Sequence, residues 1–184
     1  LGLTGLDDRF LLHRTRLFGH LRGELVHVYA EMIVAESNYE DLPPRAIEVH
    51  RADLLNLFGD VVLWDADRGR ASLRVGRQEL LYGAQRLISP LDWGHTRRTF
   101  EGAHFFWTGE NWNLDAFLTQ AVLTRPTPFD RPADQPVFFG SYATYKGWQN
   151  QTIDPYALQF NDNRAPADFR FTTLGGRWLG KRGN

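Results

Sequence analysis

Gly76-Arg77-Gln78-Glu79-Leu80-Leu81-Tyr82-Gly83-Ala84-Gln85-Arg86-Leu87-Ile88-Ser89-Pro90-Leu91-Asp92-Trp93, continuing through Thr96-Arg97-Arg98-Thr99-Phe100-Glu101-Gly102, decides how the chain folds. Just before it, Ala71, Leu73 and Val75 alternate with Ser72, Arg74, Gly76 and Gln78. A strand of period two therefore has one apolar and one polar face, and Arg74 and Gln78 share the polar one. Arg77 breaks the alternation, which places a bulge or a strand exit at Gly76. The loop Glu79–Thr96 then carries Arg86, Asp92, Trp93 and His95 and runs into Arg97 and Arg98, a charged mixture for a surface excursion.

Working outward, the same alternation predicts about nine strands: Arg9–Leu21, Glu24–Ala35, Ala52–Trp64, Arg70–Gln78, Arg97–Trp107, Asn111–Val122, Val137–Gly147, Thr152–Asn161 and Phe169–Leu179. Most match the roughly nine to eleven residues of a tilted membrane-spanning strand. The connections Arg22-Gly23, Asp65–Gly69, Gly109-Glu110 and Trp148–Gln151 are short. Those at Glu36–Arg51, Glu79–Thr96, Leu123–Pro136 and Asp162–Asp168 are long or proline-rich. Short and long alternate, as they do between the periplasmic turns and external loops of outer-membrane barrels, so the odd-numbered strands are expected to run inward. Trp64, Trp107, Trp112, Trp148 and Trp178 all fall at the short-turn end, as in an interfacial aromatic girdle, and Trp93 alone sits in a long loop.

Two-residue turns at Gly109-Glu110 and Arg22-Gly23 predict register. The first sets Trp107 opposite Trp112, Phe105 opposite Leu114 and Ala103 opposite Ala116, with Phe106 facing Asn113 and His104 facing Asp115 on the other side. The second sets Leu17 opposite Val28, Thr15 opposite Ala30 and Gly19 opposite Val26, with Arg14 facing Glu31, Arg16 facing Tyr29 and Phe18 facing His27. Each hairpin has one apolar and one polar side.

Composition narrows the function classes. The chain has 184 residues, no cysteine and a mean hydropathy of -0.41. No run of about eighteen apolar residues exists, which excludes a helical membrane protein but not a barrel. A net charge of -1 argues against nucleic acid as a partner. Apart from Lys146 and Lys181 every cationic side chain of Lys or Arg type is arginine, whose planar fork suits a confined passage for anions. His13, His20, His27, His50, His95 and His104 are scattered without ligand spacing, so neither a metal nor a cofactor is expected.

The ordered elements Gly76-Arg77-Gln78, Tyr82-Gly83, Gln85-Arg86-Leu87 and Asp92-Trp93 resemble the signature of the alginate export family, outer-membrane β-barrels that pass an anionic polysaccharide. Glu101 in Phe100-Glu101-Gly102 departs from the family's usual Asp, keeping the charge with one more methylene. The resemblance extends over most of the chain and implies an all-β antiparallel meander forming about half of a transmembrane barrel of about eighteen strands. Residues 1–184 are then a partial barrel domain cut at both ends, since Leu1–Thr4 is no signal peptide and Gly180–Asn184 resembles a turn without its returning strand.

It further implies a passive bacterial outer-membrane channel with no catalysis. Its partners would be an anionic poly- or oligosaccharide, outer-membrane lipid and periplasmic export proteins. Arg14, Arg16, Arg74, Arg77, Gln78, Arg86, Arg97 and Arg98 are the expected lumen residues, with Asp60, Glu79, Asp92, Glu101, His104 and Asp115 as supporting groups. Asp60, Glu79 and Asp115 in particular are expected to hold arginines in place. In the competing reading, Glu79, Asp92 and Glu101 pair with those arginines and only fix the loop, or serve as carboxylates of glycoside hydrolysis. Two further alternatives are a general anion or oligosaccharide porin and a soluble carbohydrate-binding β-sandwich exposing Tyr142, Tyr145 and Trp148.

Overall fold

Period-two alternation gives each strand one apolar and one polar face, and neighbouring strands pair side by side to satisfy their backbone N–H and C=O groups. A computed structural model describes residues 9–45, 47–125, 129–164, 166 and 168–181, with the backbone alone at 135. The expectations for residues 1–4 and 182–184 lie outside these. Nine strands follow in order: β1 (Leu11–Arg22), β2 (Val26–Asn38), β3 (His50–Ala66), β4 (Gly69–Gln78), β5 (Phe100–Thr108), β6 (Trp112–Leu123), β7 (Arg131–Tyr145), β8 (Gln151–Asp162) and β9 (Phe169–Gly180). Each pairs antiparallel with the next, giving one sheet in sequence order. The sheet does not close on itself, since β1 pairs only with β2 and β9 only with β8. No second sheet is present among the described residues, so the sandwich alternative has no counterpart.

The connections alternate as expected: 23–25, 67–68, 109–111 and 146–150 are short, whereas 39–49, 79–99, 124–130 and 163–168 are longer. The expected loop Leu123–Pro136 is shorter than its prolines suggest, because β7 begins at Arg131. Pro132 pairs with Val122, across a register irregularity in β6. Up to Pro136 this stretch pairs with β6 alone, the β8 ladder starting at Val137, and such a half-paired strand is where proline is tolerated. β5 starts at Phe100 rather than Arg97, leaving Arg97 and Arg98 in the loop.

Both predicted registers need correction. Gly109 N–H donates to the Trp112 carbonyl at 2.8 Å, so the turn is Glu110-Asn111 and Trp107 faces Leu114, Phe105 faces Ala116 and Phe106 faces Asp115. Gly23 N–H likewise donates to Val26 at 2.9 Å, so the turn is Glu24-Leu25 and Leu17 faces Met32, Thr15 faces Val34 and Phe18 faces Glu31. Each slip moves partners by an even number, so every side chain keeps its predicted face. Gly109 is small for a reason other than turn geometry: a Cβ there would lie 2.5 Å from the Trp107 ring.

At Gly76 there is no bulge, as pairing continues through Arg77 on the β3 side and Gln78 on the β5 side. The glycine instead takes a φ of +128° opposite Gly102 at +155°, and a Cβ on either would meet a carbonyl oxygen at 2.2 Å. Only glycine fits this row.

The two faces of the sheet are unlike. One is bare and apolar, with Leu17 at 72 %, Val75 at 54 % and Leu118 at 58 % exposure alongside Val28, Leu57, Val61, Leu63, Leu114 and Leu174. Trp64, Trp112, Trp148 and Trp178 are exposed towards the short-turn end, where Trp112 and Tyr145 rings lie 4.8 Å apart. Loop 79–99 lies across the other face, where Leu80 and Ile88 pack on Phe100, Phe117 and Leu158. The dry cluster is therefore on the same side as the charged residues.

A charged and aromatic face beneath the 79–99 loop

From β1 to β5 the covered face is built of ion pairs. Arg74 and Asp60 face each other across β3 and β4 and bond as a fork, Nε–Oδ1 2.7 Å and Nη2–Oδ2 2.8 Å. The guanidinium lies 3.7 Å over the Phe58 ring, which holds its plane fixed. Arg16 donates from Nε to Glu31 at 2.5 Å, and Glu31 also accepts from Tyr29 at 3.0 Å and Asn56 at 2.9 Å. The partner of Glu31 is thus Arg16 and not the expected Arg14, because of the register shift.

Arg14 reaches the loop instead, donating to the Gly94 carbonyl at 3.2 Å and to Asp92 at 3.3 Å. Arg97 bridges Glu79 and Asp92, and His95 Nε2 lies 2.8 Å from the His13 carbonyl. The Arg14 and His95 bonds stitch the loop to β1, and the Arg97 pairs tie the loop to itself.

From β6 to β9 the same face is aromatic. Tyr82 enters from the loop and stacks on Tyr142 at 4.8 Å and Phe117 at 5.7 Å. Its hydroxyl donates to Asp115 at 3.2 Å and lies 3.0 Å from His104 Nε2. The expected His104–Asp115 pair forms at 2.7 Å, diagonally, since His104 now faces Phe117. His104 Nδ1 lies 3.2 Å from Oε1 of the fully buried Gln78. Burial, then the Asp115 carboxylate, push the Tyr82 phenol well above its ordinary range.

Beside Tyr82 is a cavity of about 440 Å³ lined by Arg86, Tyr142, Tyr156, Leu158 and Arg177 among others. The Tyr142 and Tyr156 rings are near-parallel at 5.9 Å. Arg177 converges on Asp154 Oδ2, with Nε at 2.6 Å and Nη2 at 2.5 Å, and Tyr142 donates to the same oxygen at 2.9 Å. Arg86 is exposed at the mouth with no ion-pair partner among the described residues.

A family model described as alginate export matches residues 1–184. The chain belongs to the alginate export family. Among proteins of curated function and among solved structures, none matches it significantly.

The structure brings most of the sequence-predicted residues of this alginate export chain under one loop, and gives them unequal surroundings. Arg14, Arg16, Arg74 and Arg97 are held by carboxylates on the covered face. Asp60 and Glu79 hold arginines as expected, but Asp115 holds His104 and Tyr82. Arg77 stands apart: it donates to the Leu54 carbonyl at 3.0 Å and the Asp130 carbonyl at 2.8 Å, with Glu101 at 3.3 Å. Arg98 is exposed and its backbone N–H bonds Pro90 at 2.9 Å. Tyr82, Tyr142, Tyr156, Asp154 and Arg177 were not singled out for this site from the sequence. Tyr82-Gly83 in the signature was the available signal, since a Cβ at Gly83, whose φ is +58°, would lie 2.7 Å from the Tyr142 hydroxyl. Asp154 and Arg177 carry no local motif, and only the β8–β9 register places them opposite.

Proposed function

We propose that this chain is part of the wall of a bacterial outer-membrane channel that passes an anionic polysaccharide such as alginate, without catalysis of its own. The observation that carries this is the contrast of faces: the apolar one is bare, and the one bearing arginines is covered by the inward-lying 79–99 loop. A soluble barrel would bury its apolar face, whereas a membrane channel turns that face to acyl chains and its polar face to the lumen. The exposed tryptophans at the short-turn end then sit at one membrane interface. The open edges of β1 and β9 support reading residues 1–184 as one section of a closed barrel, because unpaired strand edges are not tolerated within a bilayer.

In this reading Arg86, exposed and without an ion-pair partner among the described residues, draws carboxylate-bearing sugars to the cavity beside the loop, whose wall includes the half-buried Tyr156. Arginines already bonded to carboxylates are weaker attractors, so passage rests on several modest contacts rather than one tight site. The test is single-channel recording on the full-length protein in planar bilayers. Arg74→Ser combined with Arg86→Ser should lower the preference for anions over cations, and a soluble polyuronate should block the wild-type current where neutral dextran does not. Unchanged selectivity together with equal block by both polymers would overturn the assignment.

A further inference from the structure

Away from the cavity, His50, Asp53 and Asp130 converge where β3 begins. His50 Nε2 lies 3.0 Å from Asp53 Oδ2 and 2.9 Å from Asp130 Oδ2, and the three side chains are 3 %, 1 % and 3 % exposed. Residues three apart on a regular strand point to opposite faces. Here Ala52 takes a φ of +42°, and the β2–β3 register slips between the pairs Ala35–His50 and Ile33–Asp53, so the two side chains turn to the same side. A non-glycine residue at positive φ is strained, and such strain clusters at functional sites.

The carboxylates are aimed by the backbone. Asp53 Oδ1 accepts the Leu54 N–H at 2.6 Å, Asp130 Oδ1 accepts the Arg125 N–H at 2.8 Å, and the Asp130 N–H donates to Asp53 Oδ2 at 2.8 Å. Both remaining lone-pair directions meet at one imidazole nitrogen.

We infer that His50, Asp53 and Asp130 bind a divalent first-row transition-metal ion of the zinc class, which clips the 124–130 connection onto β3. Charge decides between a metal and a proton as the shared cation. Two buried carboxylates around a protonated imidazole leave one negative charge uncompensated. The buried Nδ1 has no partner among the described residues with either cation, so the difference lies in the charge alone. The guanidinium of Arg77 reaches only the Asp130 carbonyl and turns to Leu54 and Glu101, so it does not neutralise the pair.

A divalent ion with a neutral imidazole balances the charge. One nitrogen and two carboxylate oxygens are a usual donor set for zinc-like ions, and the imidazole disfavours calcium and magnesium. Tetrahedral coordination at about 2.0–2.1 Å places donors about 3.3 Å apart, so each contact need open by only a few tenths of an ångström.

The full-length protein, purified in detergent and stripped with EDTA, should bind one Zn²⁺ per chain by isothermal titration, with a rise in thermal unfolding temperature that Mg²⁺ does not produce. Co²⁺ should give visible absorption bands of a tetrahedral nitrogen–oxygen site. His50→Gln and Asp130→Asn should each weaken Zn²⁺ binding by at least about 100-fold, beyond what loss of a mere supporting group costs. Absence of saturable Zn²⁺ binding and of the Co²⁺ bands in the folded wild type would overturn the site, as would unchanged affinity in folded variants. Neither wild-type readout depends on the variants folding or on transport.

Discussion

The 79–99 loop touches two kinds of wall. Towards β1 it is held by charge, through Arg14 on Asp92 and the Gly94 carbonyl, on a face whose own arginines are paired with Asp60 and Glu31. Towards β6–β9 it is held by rings and aliphatics, with Tyr82, Leu80 and Ile88 packed on Phe117, Tyr142 and Leu158. Exposed ion pairs contribute little to stability and weaken with salt, whereas buried aromatic packing does neither. The aromatic side therefore anchors the loop, and the charged side sets the potential around it.

Three substitutions break or sharpen that contrast. Tyr82→Ala removes the anchor and should cost about 3 kcal/mol, at the low end for a buried aromatic; the readouts are denaturant unfolding and faster proteolysis within 79–99. Asp60→Asn leaves Arg74 without its counter-charge and should cost about 1–2 kcal/mol, less than a fully buried pair because both side chains keep some exposure. It should also raise anion selectivity in single-channel recordings, the opposite sign to losing an arginine. Tyr142→Phe keeps the stack on Tyr82 and Tyr156 and removes only the bond to Asp154, so about 1 kcal/mol is expected in unfolding. A larger loss from Tyr142→Phe than from Tyr82→Ala would show that the polar bond, and not the ring packing, seats the loop.

Much of the fold was legible in the residues because every strand writes its alternation locally. The hairpin registers were not, since Gly23 and Gly109 invite placement inside the turn yet stand one step outside it. Gly109 is there to clear the Trp107 ring. The charged half of the site was visible because arginine in an alternating strand declares its face. The aromatic half escaped, as a tyrosine on a polar face looks the same whether it stacks on a neighbour or meets solvent. His50, Asp53 and Asp130 escaped for a different reason. Asp130 lies 77 positions from Asp53, and the kink at Ala52 that turns His50 beside Asp53 leaves no mark in sequence periodicity.

The facing glycines at 76 and 102 carry a last consequence. Every other row of the β4–β5 ladder has a Cβ on both strands whereas this one has two hydrogen atoms, and neither position can accept even alanine without driving its methyl group into the adjoining strand. In the proposed channel, substitutions that reshape the wall at this point would have to fall in the loop, since these two positions cannot carry a methyl group.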